Sequence, residues 1–272
     1  MKILITGASG FIGNKIVEYF SINNDVYGMA RSSSNNPKIK KVDLMDLDPN
    51  DFENEKFDVI FHCASILATN SNNKSFDLLY DNLKITEGLI SIINKTSPSL
   101  VVNFSSIGVY PNVSGSYNEQ SLIHPSQNFE GLYGLSKFCS EELLNFFQKD
   151  SNVRTVNLRL GQTVGEGMRK DRIYSLMRDE LNRDNCINVW GDGERISSFI
   201  SIDLLLESLS QIIENKEIRG TFNLTENNIS YLDLAKSIIK DYGNDQSEIK
   251  ISSNGNKSKV IIDDSKIKNL LG

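Results

Sequence analysis

The chain has few of the residues that usually bind metals or form disulfide frameworks. Its three cysteines and two histidines are scattered over 272 residues, with no Cys-x-x-Cys spacing. We therefore expect neither a disulfide framework nor a metal site. Cys63, Cys139 and Cys186 are interpreted as small packing residues.

Long apolar runs and an excess of positive charge are also missing. No apolar stretch approaches the length that crosses a bilayer, and the first apolar segment is too short to be the core of a signal peptide. The formal net charge is -6, and no basic stripe is present that could neutralise the phosphates of a nucleic acid. The sequence thus predicts a soluble, cytoplasmic protein that binds neither membranes nor nucleic acid.

What the chain does contain is a glycine-rich turn directly after an apolar segment. Residues 1–6 read as a buried parallel strand, and apolar residues recur at helical spacing after Gly13. Glycine at such a turn permits a tight reversal and lets backbone amides approach a pyrophosphate at the helix N-terminus. A nucleoside-triphosphate loop is excluded, because it needs Gly-Lys-Ser/Thr where this chain has Gly13-Asn14-Lys15. The residues expected to contact a dinucleotide here are Gly7, Ser9, Gly10, Phe11, Ile12 and Gly13.

Strand-like and helix-like segments alternate through the first half of the chain. We predict further strands at 25–30, 40–44, 59–63, 100–105 and 154–160, with helices at 14–20, 75–93 and 133–148. This pattern predicts an α/β fold, with a Rossmann-type doubly wound parallel sheet formed by residues 1–160. Residues 161–272 are predicted to form a smaller C-terminal substrate-binding lobe over the carboxyl edge of the sheet, with some later segments returning to the sheet.

The end of the second predicted strand indicates which dinucleotide is bound. Arg31 stands where an NAD enzyme carries an acidic residue for the adenosine ribose. A guanidinium suits a 2′-phosphate, and Ser32 adds a hydroxyl donor, so NADP(H) is favoured over NAD(H). The alternative is an ordinary surface arginine at a strand end. Asp43 is expected near the adenine edge, with Leu44 in the same cofactor site.

Tyr133 and Lys137 are four residues apart and therefore share one face of a helix. A nearby ammonium favours phenolate, so we expect Lys137 to lower the pKa of Tyr133. Ser106 ends an apolar strand and is expected to place its hydroxyl beside a substrate carbonyl at the sheet edge. By itself the pair could be an exposed helical pair, but its occurrence together with the glycine turn favours catalysis.

Together these motifs resemble the extended short-chain dehydrogenase/reductase family, in the branch of nucleotide-sugar epimerases, dehydratases and reductases. The resemblance implies a nicotinamide cofactor over the sheet edge and a nucleoside-diphosphate sugar held by the smaller lobe. It implies that Tyr133 is the acid-base residue, that Ser106 is its substrate-side partner, and that Lys137 also holds the nicotinamide ribose. The segments that carry the resemblance are Thr-Gly-x-x-Gly-x-x-Gly at 6–13, His-Cys-Ala-Ser at 62–65, Asn82, Phe-Ser-Ser-x-x-Val-Tyr-Pro at 104–111, Tyr-x-x-x-Lys at 133–137, and later segments at 159–165, 199–203 and 220–224.

The resemblance also implies the remaining contacts. Cofactor contacts are expected from Cys63, Ala64, Ser65, Asn82 and Leu160, and substrate contacts from Ser105, Ser106 and Gln162. Relatives often use an arginine on the substrate diphosphate at the position of Ser197 in this chain, and Arg195 is the candidate that replaces it. Arg169, Lys170, Arg172 and Arg178 are further candidates, or a solvated helix face.

The residues after Ser106 narrow the reaction. Dehydratases and decarboxylases of the family place acidic residues there, whereas this chain has Ile107 and Gly108, which disfavours both reactions. The 3,5-epimerases of the family have a cysteine at the position of Gly108, so 3,5-epimerisation is also disfavoured. The favoured prediction is an NADPH-dependent reductase of a nucleoside-diphosphate 4-keto-6-deoxy sugar. An NAD-dependent 4-epimerase and a non-catalytic NADP-binding sensor or scaffold are the alternatives. A homodimer through the helices of Asn82 and Tyr133 is a further expectation, although their apolar faces could equally pack against the sheet.

Overall fold

A central parallel sheet and two groups of helices make up most of the structure, a computed structural model that describes residues 1–271. The helices are α1 (Phe11–Phe20), α2 (Phe76–Thr96), α3 (Gly131–Phe147), α4 (Ile173–Asp184), α5 (Ile202–Glu214), α6 (Tyr231–Tyr242) and α7 (Ser265–Leu271). The strands are β1 (Lys2–Thr6), β2 (Asp25–Ala30), β3 (Ile39–Lys41), β4 (Val59–His62), β5 (Leu100–Ser106), β6 (Gly115–Tyr117), β7 (Arg154–Leu160), β8 (Gln162–Val164), β9 (Cys186–Trp190), β10 (Ile196–Ser201), β11 (Gly220–Leu224), β12 (Asn227–Ser230), β13 (Glu248–Ser252) and β14 (Val260–Ile262).

The large sheet has seven parallel strands in the order β11-β7-β5-β4-β1-β2-β3. Successive strands are added in opposite directions on the two sides of β1, so the order reverses between β1 and β4. In open α/β sheets this reversal creates a crevice at the carboxyl ends of the strands. The Rossmann-type fold expected from the sequence is confirmed.

The sheet is apolar on both faces because helices cover both of them. Ile3 and Ile5 belong to one buried cluster with residues of α1, α5 and α7, whereas Leu4 belongs to a second cluster with residues of α2 and α3. Alternate residues of β1 therefore point to opposite cores, as the two-residue period of a strand requires. The result is a three-layer arrangement that holds the carboxyl ends of the strands in fixed register.

The predicted strand at 40–44 is wrong in its bounds. Strand β3 ends at Lys41, because the carboxylate of Asp43 accepts a hydrogen bond from the backbone amide of Met45 (3.0 Å) and starts a short 3-10 turn at Leu44–Asp46. The predicted start of the first helix is also late, since α1 begins at Phe11 and not at Asn14.

The chain after Gly161 contributes both to a separate C-terminal lobe and to the large sheet with its helices. Strands β8, β10 and β12 form a small sheet, β9 pairs with β13, and a separate core joins α4 and α6 through residues such as Met177, Leu181 and Leu234. Strand β11 returns to pair with β7 in the large sheet, and α5 and α7 pack on the Rossmann core. Within residues 1–271, no helix is long and apolar enough to span a bilayer.

Candidate active site

A cleft of about 1140 Å³ runs along the carboxyl edge of the large sheet. Its walls include residues that end or follow β1, β2, β4, β5 and β7, together with residues of the C-terminal lobe. Apart from the additional basic candidates Arg169, Lys170, Arg172 and Arg178, which are described below, every candidate cofactor, catalytic and substrate residue from the sequence lines this cleft except Asn82. They are Gly7, Ser9, Gly10, Phe11, Ile12, Gly13, Arg31, Ser32, Asp43, Leu44, Cys63, Ala64, Ser65, Ser105, Ser106, Tyr133, Lys137, Leu160, Gln162 and Arg195.

The glycine turn is shaped so that side chains would obstruct it. Gly7 has a φ of 67°, and a Cβ at Gly13 would lie 2.3 Å from the carbonyl oxygen of Gly7. Helix α1 therefore packs against the turn only because Gly13 has no side chain. Gly10 precedes α1 and gives no side-chain cap, so the first amides of the helix face the cleft without a side-chain partner. This arrangement fits a pyrophosphate group.

The wall next to the glycine turn carries one positive charge. Arg31 and Ser32 follow β2 directly and are exposed, and Arg31 makes no hydrogen bond or ion pair with any residue in the range 1–271. Asp43 also lines this wall, but its carboxylate is used by the amide of Met45, and Leu44 is buried beside it. The guanidinium is therefore free to bind an anion.

Helix α3 brings the catalytic candidates to the end of β5. A Cβ at Gly134 would lie 2.2 Å from the carbonyl oxygen of Gly108, so the helix can approach the turn after Ser106 this closely only because position 134 has no side chain. Tyr133 is 8% exposed and Lys137 is 5% exposed. The ammonium of Lys137 donates to the carbonyl oxygen of Phe104 (2.8 Å) and lies 5.7 Å from the ring centroid of Tyr133. The hydroxyl of Ser106 accepts a hydrogen bond from the amide of Gly108 (3.0 Å).

The expected lowering of the Tyr133 pKa by Lys137 is wrong. Burial, and to a smaller extent the charge of Glu130, raises the pKa of Tyr133 to about 12. Lys137 is not among the groups that oppose this rise. Its ammonium is bound to a backbone carbonyl, and its own burial lowers its pKa to about 8. The phenol is thus protonated at neutral pH, which is the form that donates a proton.

Comparison with known proteins assigns these features to one family. The family model described as the NAD dependent epimerase/dehydratase family matches residues 3–225. The chain belongs to this family. The resemblance drawn from the sequence motifs is therefore confirmed.

The relatives of this epimerase/dehydratase-family chain span several activities. A dTDP-D-glucose 4,6-dehydratase of Dictyostelium discoideum is 25% identical over 88% of this chain, and the chain spans only 61% of that protein's length. An uncharacterized UDP-glucose epimerase of Bacillus subtilis is 24% identical, and the match covers 100% of this chain and 92% of the length of that protein. Among solved structures, the UDP-glucuronic acid 4-epimerase from Bacillus cereus in complex with NAD has a TM-score of 0.81 at 22% identity, covering 100% of this chain and 90% of that one. Other relatives include reductases.

Asn82 lies outside the lining of this cleft and supports the loop after β4, and its direct contact with a cofactor stays a prediction. Its side-chain oxygen accepts hydrogen bonds from the hydroxyl of Ser65 (3.0 Å) and the amide of Ile66 (2.8 Å). Its side-chain nitrogen donates to the carbonyl oxygens of Ile66 (2.9 Å) and Leu78 (2.8 Å). Asn82 therefore fixes the loop after β4, and Ser65 and its neighbours line the cleft in its place.

The hydroxyl of Ser105 uses its proton inside the protein, although Ser105 lines the cleft, and a contact from its oxygen to a substrate stays a prediction. The hydroxyl donates to the carboxylate of Glu141, which is also bound by the guanidinium of Arg159 (2.7 Å). Arg159 in turn donates to the hydroxyl of Tyr110 (2.9 Å). Sequence reasoning missed this buried network. The signals were Arg159 between two leucines near the end of β7, and Glu141 one turn after Lys137.

The lobe side of the cleft carries the substrate candidates. Gln162 lies in β8, which pairs with β10. The guanidinium of Arg195 stacks 5.1 Å from the ring centroid of Tyr231, and its Nε is buried without a hydrogen-bond partner within residues 1–271. Arg195 immediately precedes β10, and Ser197 and Ser198 of that strand line the same cleft.

Other charged residues of the lobe lie at the Tyr133 end of the cleft. Arg169 is paired with Asp171, and Arg172 is paired with Glu130 (3.0 Å). Sequence reasoning missed Glu130, which is three residues before Tyr133 and therefore close to it at the start of α3. Arg178 lies instead over the ring of Tyr242 (4.7 Å), and neither it nor Lys170 lines the cleft.

Proposed function

We propose that this chain is an NADPH-dependent reductase of a nucleoside-diphosphate 4-keto-6-deoxy sugar. The observation that carries the proposal is the free guanidinium of Arg31, which lies in the same cleft as Ser106, Tyr133 and Lys137. No carboxylate follows β2 directly to bind a ribose diol, whereas Arg31 and Ser32 supply donors for a 2′-phosphate. A cofactor that is consumed and exchanged in each turnover fits net reduction.

The residues around the nicotinamide position fit proton donation. Bound NADPH would supply a hydride to C4 of the sugar, and the rest of the chemistry falls to this chain. Tyr133 is protonated at neutral pH and would protonate the oxygen on C4. Ser106 would hold that oxygen by a hydrogen bond. Lys137 would hold the nicotinamide ribose, as the family resemblance implies.

The charges at the sugar end support a neutral sugar. Arg169 and Arg172 both have carboxylate partners in the protein, so neither is free for an acidic sugar substituent. Leu67, Ala68 and Met168 line the same cleft and would suit a methyl group. Dehydration is disfavoured, because Ile107 and Gly108 provide no acid or base after Ser106.

The substrate diphosphate would be bound by the lobe. Arg195 is the candidate, because its buried Nε has no partner and an anion in the cleft would provide one. Gln162 would contact the substrate from β8. A cytoplasmic location and a homodimer through α2 and α3 stay predictions.

A nucleotide-sugar 4-epimerase that retains NAD is the second candidate. It would use Ser106, Tyr133 and Lys137 reversibly, and the relatives include a UDP-glucose epimerase. The two candidates differ in the fate of the cofactor: a reductase would release oxidised NADP⁺ after each turnover, whereas an epimerase would retain NAD.

The test is a fluorescence titration of the purified protein with NADPH and NADH, followed by the nicotinamide absorbance after addition of dTDP-4-keto-6-deoxyglucose. Preferential NADPH binding and stoichiometric oxidation support the reductase. Copurified NAD with no net oxidation of added cofactor overturns it in favour of the epimerase. NADPH binding without turnover of any 4-keto sugar supports a sensor or scaffold.

A further inference from the structure

One ion pair joins the catalytic helix to the C-terminal lobe inside the cleft. Glu130 immediately precedes α3, and Arg172 immediately precedes α4. Their side chains are 24% and 32% exposed, and Nη1 of Arg172 lies 3.0 Å from Oε1 of Glu130. Both residues line the same cleft as Tyr133, although they are 42 positions apart in the chain.

The two charges act on Tyr133 in opposite directions. The carboxylate of Glu130 disfavours a phenolate and raises the pKa of Tyr133, whereas the guanidinium of Arg172 lowers it. The other polar or charged groups around the phenol are Lys137 on α3, Arg169 with its partner Asp171 in the segment before α4, and the neutral hydroxyl of Ser65 after β4. Burial keeps solvent from screening these charges fully.

We propose that Glu130 and Arg172 are a paired positioning element for the proton donor, an inference that rests on the proposed function. Glu130 favours the protonated phenol, and Arg172 limits that effect. Because Arg172 belongs to the lobe and Glu130 to the catalytic helix, seating of the lobe sets the proton affinity of Tyr133.

A surface ion pair usually contributes little to stability, so a structural role alone would have small effects. If the pair acted only by holding the lobe in place, removing either partner would slow catalysis in the same direction. Control of the phenol instead predicts effects of opposite sign. This difference distinguishes the two roles.

The test uses Glu130→Gln and Arg172→Gln, which remove one charge each and leave an amide. Oxidation of the alcohol product with NADP⁺ requires the phenolate, so its rate at a fixed pH below the pKa of Tyr133 follows the phenolate fraction. We expect Glu130→Gln to speed this reaction by about threefold or more, and Arg172→Gln to slow it by a similar factor. The double variant and the charge-conserving Arg172→Lys should stay near the wild-type rate.

Two controls separate the possible failures. Glu142→Gln and Arg183→Gln alter exposed residues on α3 and α4 and should leave the rate unchanged. Ultraviolet difference titration of each variant against the same variant carrying Tyr133→Phe reports ionisation of this one phenol without turnover. If no 4-keto sugar is reduced, the proposed function fails and this titration still tests the pair. Shifts of the same sign in both single variants, or none in either, would overturn the inference.

Discussion

Arg159 and Glu141 form a bidentate ion pair behind the active site, with Nη2 of Arg159 2.7 Å from Oε2 of Glu141. The two side chains are only 5% and 1% exposed. Glu141 also accepts from Ser105, and Arg159 also donates to Tyr110, so the pair links β5, α3 and β7. The strand end that carries Ser106 is thereby fixed to the helix that carries Tyr133.

Removal of one charge from this pair should destabilise the protein. Glu141→Gln leaves the guanidinium of Arg159 buried without its counter-charge, and we expect a loss of about 3 kcal/mol in the free energy of unfolding. Equilibrium unfolding in urea measures this free energy, and its slope against urea concentration should not change. Glu142→Gln, at the exposed neighbouring position, is the matched control and should change stability by less than about 0.5 kcal/mol. Equal effects of the two variants would show that the pair adds nothing.

Arg31→Leu should change cofactor choice. Loss of a charged contact to the 2′-phosphate is expected to weaken NADPH binding by about tenfold or more, while NADH binding stays the same. The fluorescence titration with both cofactors measures this ratio. Arg219→Leu, an exposed arginine outside the cleft, should leave both affinities unchanged. An equal loss of affinity for NADPH and NADH would contradict a contact to the 2′-phosphate.

Features that depend on local spacing could be predicted from the sequence, and features that depend on distant partners could not. The glycine turn and the pairing of Tyr133 with Lys137 are set by neighbours along the chain, and the parallel sheet follows from the alternation of apolar segments. The role of Asn82 depends on a loop 16 residues away. The pKa of Tyr133 depends on how deeply α3 packs against β5, which no spacing reveals.

His62 should make stability fall in acid. Burial lowers the pKa of His62 from 6.5 to about 3. Between these values the unfolded chain binds a proton that the folded chain does not, so this contribution to stability is complete above pH 6.5 and is lost as the pH falls. The limiting slope is about 1.4 kcal/mol per pH unit.

The histidine prediction is checked by urea unfolding across this pH range. His62→Asn should flatten the acid slope, because Asn has no proton to gain. His124→Asn, at an exposed position, should leave the slope as it is. An unaltered slope in His62→Asn would assign the acid sensitivity to other groups.

Arg195→Gln should weaken substrate binding and leave cofactor binding intact. We expect the KM for the nucleotide sugar to rise by about tenfold or more, since a charged hydrogen bond to the diphosphate is lost. Because Ser197 lines the same cleft, adding Ser197→Arg to this variant should restore part of the affinity. Steady-state kinetics with varied sugar at saturating NADPH measure both effects. A rise in the KM for NADPH alone would show that Arg195 contacts the cofactor and not the diphosphate of the sugar substrate.

The return of β11 to the large sheet affects how the protein can be made. The polypeptide leaves the sheet at Leu160 and rejoins it at Gly220. While the ribosome is still synthesising the segment between them, β7 is paired only with β5, and its other edge is open. An open edge is a template for association with other chains. A fragment that ends at residue 160 would keep that edge permanently, so the cofactor-binding half is not expected to be obtainable as an independent soluble piece.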